Sequence, residues 1–348
     1  MWPHVELSPA SLAAIGWPTD LPAGWQDLLN AHPGTRVARV VEQHRAGYRV
    51  SQDGIEAFKV ESPPEWTRPR VSPDIRAGVG DWVILDGLRI VALLPRFSAM
   101  KRAAAGDHYK QQLIAANIDT AFVVCGLDDD FNPRRIERYL MLVRAGGVNP
   151  VVVLTKADIG ERLDEARVML DALPDEDVAV IALNALDAGA VTALKPWLGE
   201  GETVVLVGSS GAGKSTLTNT LLGESRMRTG AVRAHDSRGR HTTTHRALMR
   251  LPSGACLIDT PGMRELKPTG EEAQAAVTFN DVDALAAQCK FRDCKHLKEP
   301  GCAVTAAIAD GSLDPARLQN WRKLHEEVAS AALAKVESQK IRGRRPNT

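Results

Sequence analysis

"VVVLTKADIG", residues Val151–Gly160, is the stretch on which the reading of this chain turns. A short apolar run bounded by a polar turn suits a buried strand. The Thr-Lys-x-Asp turn that ends it offers a carboxylate, Asp158, at the strand's C-terminal edge. A carboxylate there can accept two hydrogen bonds, from the ring N–H and the amino group of guanine, and adenine presents no such pair. A site built on that contact leaves a charge unpaired with the wrong base, which is costly. The phosphate-binding stretch that such a turn normally follows, "VVLVGSSGAGKST", begins only at Val204, about fifty residues later. Either the match is accidental or the parts of a nucleotide site come in an unusual order.

The second stretch is specific. "GSSGAGKS", Gly208–Ser215, fits G-x-x-x-x-G-K-S between the apolar "TVVLV" and the helical "STLTNTLLG". In such a loop Gly208, Ser209, Ser210, Gly211, Ala212 and Gly213 wrap phosphates with backbone N–H groups, helped by the helix N-terminus that continues into Thr216. Lys214 is expected on the β- and γ-phosphates, and the Ser215 hydroxyl on Mg²⁺. "CLIDTPG", Cys256–Gly262, supplies Asp259 to the Mg²⁺ shell and the Gly262 N–H to the γ-phosphate. Between them lies "DSRGRHTTTHR", polar and glycine-containing as a switch loop should be. Thr243 is the expected third Mg²⁺ ligand, with Thr242 and Thr244 as alternatives. Many GTPases carry a water-orienting Gln just after D-x-x-G; Met263 stands there, so intrinsic hydrolysis should be slow. His241 is the candidate catalytic side chain, the alternative being a surface histidine without that role.

From about Asp119 to Gly262 apolar strands alternate with amphipathic helices, which predicts a largely parallel sheet covered on both faces. Such sheets bind ligands at their C-terminal edge, where the T-K-A-D turn falls, and this argues against accident. Lys156 is expected along the base, bracing the phosphate loop. Thr155 replaces the usual Asn, which should weaken or remove one hydrogen bond, to the base or to the phosphate loop. Asn184 and Ala185 in "VIALNALD" stand where a second guanine loop would carry Ser-Ala. A sheet records which strands are adjacent rather than which is translated first, and compact domains tolerate permutation. The elements therefore describe a circularly permuted GTPase, whose second switch leads directly into the domain that follows it. Two rivals stand beside this reading: an ATPase with a coincidental T-K-A-D, and a nucleotide-binding RNA module that does not hydrolyse.

The rest of the 348 residues frames that domain. Lys+Arg and Asp+Glu both number 43, so net charge names no partner. Residues 1–35 read as an ill-defined extension with several Pro and Trp, and with no signal-peptide pattern. Residues 36–98 carry five short alternating segments between Gly, Asp and Pro turns, predicting a small OB-type β-barrel. Its arginines (Arg39 and Arg49 among them), interleaved with Tyr48, Phe58 and Trp66, favour nucleic-acid binding over a packing role. The permuted domain is expected over 110–265 and a mostly helical domain over 266–338. In the latter, Cys289, Cys294, His296 and Cys302, spaced C-x4-C-x-H-x5-C, can close a tetrahedron around one structural Zn²⁺, redox or reactive-thiol roles being the alternatives. Lys290, Arg292, Lys295 and Lys298 in the same loop offset thiolate charge, contact RNA phosphate, or both. The basic tail 339–348 is an RNA contact or a solvated terminus. Cysteine usage suits a reduced cytoplasmic chain, and no run approaches the roughly 20 apolar residues of a membrane helix.

Taken in order, "GDWV", "LLPR", "NIDTAFVV", "TKAD", "GSSGAGKST", "GRHTTT", "DTPG", "FRDCKH" and "PGC" resemble the small ribosomal subunit biogenesis GTPases known as RsgA (YjeQ/YloQ) over nearly the whole chain. The resemblance implies an OB-fold, a permuted GTPase domain and a zinc-binding domain. It also implies GTP hydrolysis stimulated by the small ribosomal subunit, and a role in that subunit's late maturation. The partners implied are GTP/GDP, the subunit and its rRNA, met by a cytoplasmic monomer.

Overall fold

The computed structural model describes residues 9–44, 47–67, 75–104, 107–128, 131–159, 163–164, 166, 168, 178–223, 246–259, 279–315, 317–323, 325–326, 328–330 and 333. Strands β1 (Arg36–His44), β2 (Gly47–Ser51), β3 (Ala57–Val60), β4 (Trp82–Asp86) and β5 (Arg89–Leu93) are the five predicted from alternation. They pair antiparallel in the order β3-β2-β1-β4-β5. A parallel bridge between Glu61 and Arg89 joins the two outer strands, so the sheet curls into a partly closed barrel. Two strands without a counterpart in the sequence reading follow, β6 (Ala99–Ala104) and β7 (Asp107–Ala116), paired as a separate hairpin.

The nucleotide-type domain comprises β8 (Thr120–Gly126), β9 (Asn149–Thr155), β10 (Ala179–Ala182), β11 (Thr203–Gly208), β12 (Ala247–Arg250) and β13 (Cys256–Asp259). Their spatial order is β10-β9-β8-β11-β13-β12, with only β12 antiparallel to its neighbour. β8 and β11 are buried along their whole length. Period-two alternation sorts their side chains. Phe122, Val124, Val204 and Leu206 share a core with Leu217 and Leu221 of the helix Lys214–Leu222; Val123, Cys125, Val205 and Val207 share one with Ile136, Leu140 and Val143 of the helix Pro133–Ala145. Asn132 caps that second helix, its side chain accepting from the Arg135 N–H, and Pro133 sits where a missing N–H costs nothing. The parallel strands put the turns after β9, β10, β11 and β13 on one edge.

Two expectations about the first hundred residues change. From residue 9 on, the extension packs on the barrel. Trp17 and Trp25 pack at 5.0 Å, and Trp17 meets the barrel's Trp82 edge-on at 4.9 Å. Trp25, fully buried, also donates to the Pro95 carbonyl at 2.7 Å. Tyr48 and Trp66, in turn, are not displayed on the barrel's surface. They are buried edge-to-face at 5.8 Å, so their pattern is that of a core.

Arg39, read as part of a basic binding face, is fully buried where the barrel meets the nucleotide-type sheet. It donates to Gly80 O (3.1 Å), Asn117 O (2.7 Å), Thr203 Oγ1 (2.8 Å) and Ile15 O, and lies over the Trp82 ring at 5.3 Å. Burial pushes its pKa down, against the opposing pull of Cys256, Asp119 and Asp81. The barrel and the larger sheet also share one strand pair, Glu42 of β1 opposite Ala247 of β12. Arg39→Ala would leave several buried acceptors unpaired around a cavity. We expect a loss of about 3–5 kcal/mol in a urea melt, and Arg39→Lys to recover little of it because an ammonium lacks the fork of donors.

The C-terminal segment packs on the helix Pro133–Ala145 through Arg317. This side chain bridges Glu137 of that helix and Asp281 (2.9 Å from Nη2 to Oδ1), and lies over the Phe279 ring at 4.9 Å. No described helix is long and apolar enough to cross a membrane.

Candidate functional site

The phosphate loop leaves the end of β11, where a side chain cannot fit. Gly208 has φ 147°, and a Cβ there would lie 2.1 Å from the Val124 carbonyl oxygen of β8. The loop closes on Gly213, φ 89°, which precedes the helix Lys214–Leu222; no side chain caps that helix, so its first N–H groups face the loop. Lys214 lies across the loop, donating to Gly208 O at 2.8 Å and to Ser209 O. Ser215 and Thr216 follow in the helix's first turn, and Ser210 and Gly211 are exposed at the loop's tip. Ala212 is buried. Asp259, half-buried, ends β13, the parallel neighbour of β11; the register that pairs Val205 with Ile258 sets it beside Leu206, two residues before the loop begins at Gly208.

The guanine-type turn arrives from two strands away. Thr155, buried at the end of β9, donates its hydroxyl to the Ala212 carbonyl at 2.7 Å, and a Cβ on Gly213 would lie 3.1 Å from Thr155 Oγ1. Segments separated by 57 residues thus meet side chain to loop. The Thr-for-Asn replacement keeps the bond to the phosphate loop. Lys156 is ion-paired with Asp128. Asp158 is exposed and makes no hydrogen bond or ion pair among the described residues. The turn after β10 joins them. Leu183 N–H donates to Leu154 O at 2.9 Å, Ala157 N–H to Leu183 O at 3.3 Å, and Thr220 of the phosphate-loop helix to Ala185 O at 2.6 Å. Asn184 uses its side chain within its own turn, accepting from the Leu186 N–H at 2.9 Å.

Thr155→Val removes a hydroxyl and leaves the Ala212 carbonyl buried without its donor. We expect GDP affinity to fall about five- to tenfold in an equilibrium titration, the cost of one buried hydrogen bond.

Thr242, Thr243, Thr244, His241, Gly262 and Met263 lie outside the described residues. After the first four of these positions the described chain resumes at Arg246, whose guanidinium donates to Leu113 O of β7 at 2.6 Å. Burial, with Arg102 nearby, brings its pKa down to about 10. Neither this hairpin contact nor Asp128 carried a signal in the sequence: both are pairings between distant segments whose local pattern is that of a loop or an ordinary strand.

The Cys/His knot is compact. Cys289 Sγ and Cys302 Sγ each lie 3.5 Å from His296 Nδ1 and 3.8 Å from one another. With Cys294, all four donor atoms fall within 4.8 Å of one another. A tetrahedral ion about 2.0–2.3 Å from N and S donors needs edges of about 3.5–3.8 Å, so the set fits a metal. His296 adopts φ 57°, turning its ring inward against Trp321 at 5.4 Å. Cys302 caps the helix Ala303–Ala309. Burial resists its ionisation, but hydrogen bonds from Thr305 prevail and bring the thiol down to about 6. Cys294 is pushed up to about 11 by desolvation and by sharing protons with Cys302 and Cys289.

Comparison with known proteins agrees with this geometry. The family model described as RsgA GTPase matches residues 93–269. A Small ribosomal subunit biogenesis GTPase RsgA from Xanthomonas euvesicatoria pv. vesicatoria is 62% identical over 339 residues, covering 96% of this chain and 93% of that protein. The chain belongs to the RsgA GTPase family. A relative of the same name from Xanthomonas oryzae pv. oryzae is 61% identical over 346 residues, 97% of this chain and 95% of that protein. Among solved structures, YjeQ from Thermotoga maritima superposes with TM-score 0.60 at 22% identity, covering 85% of this chain and 99% of that one. YloQ, titled a circularly permuted GTPase, superposes with TM-score 0.55 at 21% identity, covering 91% and 98%. The family and the strand order together answer the opening question. The chain is a GTPase with an N-terminal OB-type barrel, a permuted nucleotide domain and a helical C-terminal region holding a Cys3His cluster.

Proposed function

We propose that this GTPase acts in late maturation of the small ribosomal subunit, binds the subunit and its rRNA, is stimulated by them, and couples hydrolysis to release. The observation that carries the nucleotide site is the Thr155–Ala212 contact, which sets a guanine-type turn against the phosphate loop despite their inverted order. The partner comes from the names of the Xanthomonas relatives, alike over nearly the whole chain.

In this reading Asp158 pairs with the guanine N–H and amino groups. The Ala185 N–H, without a partner among the described residues, is available to the base oxygen. The amides of residues 208–213 and the Lys214 ammonium hold the phosphates. Ser215, Asp259 and Thr243 would hold Mg²⁺, which when bound neutralises charge on the β- and γ-phosphate oxygens. The Gly262 N–H meets the γ-phosphate and His241 orients water once the partner orders the switches. The domain boundaries follow the sequence reading, with the second switch leading straight into the C-terminal domain over 266–338. There Cys289, Cys294, His296 and Cys302 hold a structural Zn²⁺, for which three thiolates and one imidazole are the preferred donors. Lys290, Arg292, Lys295 and Lys298 face rRNA phosphate. The protein works as a cytoplasmic monomer.

The test is GTP turnover by the full chain with and without purified small subunits, with ATP as competitor. Stimulation by the subunit and preference for GTP are expected. Equal use of ATP would remove the guanine assignment, and turnover indifferent to subunits would remove the partner.

A further inference from the structure

Lys156 has φ 61°, a left-handed backbone uncommon for a residue with a long side chain. Such conformations persist where the surroundings over-determine them, often at functional sites. Here they bring the Lys156 ammonium to the Asp128 carboxylate, in the loop that leaves β8, with 28% and 40% of the two side chains exposed. The register is set by the backbone, because the Leu127 N–H donates to Thr155 O at 3.0 Å beside the pair. Gly126, the last residue of β8, leaves the space in which the two side chains meet. A Cβ there would lie 2.6 Å from Asp128 Oδ1 and 3.3 Å from Lys156 Nζ. β8 is also the strand against which the phosphate loop begins, Gly208 pairing with Val124. The ion pair therefore sits over the strand end that flanks the loop.

We propose that Asp128 is a positioning residue for the guanine nucleotide: it holds the Lys156 side chain against the end of β8 before the nucleotide arrives. The inference rests on reading Thr155–Asp158 as the guanine turn. A lysine free in solvent samples many rotamers, and ordering it on binding subtracts from affinity. An exposed ion pair contributes little to folding, but a side chain already ordered spares that loss when the ligand binds. Asp128 acts through Lys156, so its effect belongs in affinity and KM rather than in kcat.

The experiment is a titration of the full chain with a fluorescent methylanthraniloyl-GDP, together with GTP turnover. The variants are Asp128→Ala, Asp128→Asn, Asp128→Glu and Lys156→Ala, and the double variant Asp128→Ala/Lys156→Ala. Asp128→Ala and Asp128→Asn should raise Kd and KM roughly fivefold. Asp128→Glu should recover most of the loss, and Asp128→Ala should add nothing once Lys156 is alanine. A Kd for Asp128→Asn that is unchanged or tighter, or an equal loss in the Lys156→Ala background, overturns the proposal. Asp158→Ala separates this from the reading beneath it. If that variant still prefers guanine nucleotides, the guanine turn itself is misassigned. If it loses the preference while Asp128→Ala and Asp128→Asn bind as the parent does, only the positioning role falls.

Discussion

Asp158→Ala is expected to lower GTP affinity by about two to four orders of magnitude. The carboxylate would accept two hydrogen bonds from guanine, each charge-assisted, and such bonds contribute roughly 1.5–3 kcal/mol apiece. Their sum, about 3–6 kcal/mol, converts to the stated range at roughly 1.4 kcal/mol per tenfold. Adenine nucleotides never make that pair, so ATP affinity should change little, and the preference for guanine should disappear mainly through loss of GTP. Folding should not suffer. Asp158 is exposed and unpaired among the described residues, and substitutions of that kind shift stability by no more than about 0.5 kcal/mol. The measurement is a pair of titrations, GTP and ATP, alongside a thermal melt. A variant that melts like the parent yet binds GTP as tightly would remove Asp158 from the base site.

How much of this was legible in the sequence depends on the distance over which the signal is written. The unbroken apolar runs of "VVVLT" and "TVVLVG" are local, and they predicted β9 and β11 with both faces buried. The phosphate loop was legible for the same reason, since its motif is written within fourteen consecutive residues of strand, loop and helix start. Arg39 was not. It follows Ala38 and precedes Val40, both buried in the barrel core, so by alternation it points outward, where an arginine normally meets water. It is buried because another domain covers that face, and its partner Thr203 lies 164 residues away. Trp17 and Trp25 were missed on the same ground. Short helices between prolines show no lasting period, and their packing on Trp82 is visible only in space. Thr155 is the intermediate case. Its place in the turn was clear, but whether threonine keeps the phosphate-loop bond depends on one hydroxyl direction, which the structure supplies.

Stripping the metal from the Cys3His cluster is expected to unfold the C-terminal region while leaving the nucleotide sheet intact. The four donors tie three pieces together: the end of the helix Asn280–Ala286, the Phe291–His296 turn, and the start of the helix Ala303–Ala309. Few large apolar side chains are buried there, Phe279, Leu313, Leu318 and Val304 among them, and a unit of this size gains little from its core alone. Apparent binding free energies for structural Zn²⁺ are about 10–16 kcal/mol, comparable to the whole stability of a domain at about 5–15 kcal/mol. Removing the ion also leaves donor atoms of three thiols and an imidazole crowded within 4.8 Å, with no cation to offset ionised thiols. The Arg317 bridge to Glu137 would still tie this region to the GTPase body. Hydrogen exchange should therefore show protection lost over residues 279–330 after chelation or in Cys294→Ser, with β8, β9 and β11 still protected and GDP still bound. Unchanged protection in a protein verified to be metal-free would show that packing, and not the ion, holds this region. On the proposed coupling to the subunit, stimulated turnover should fall with the lost protection.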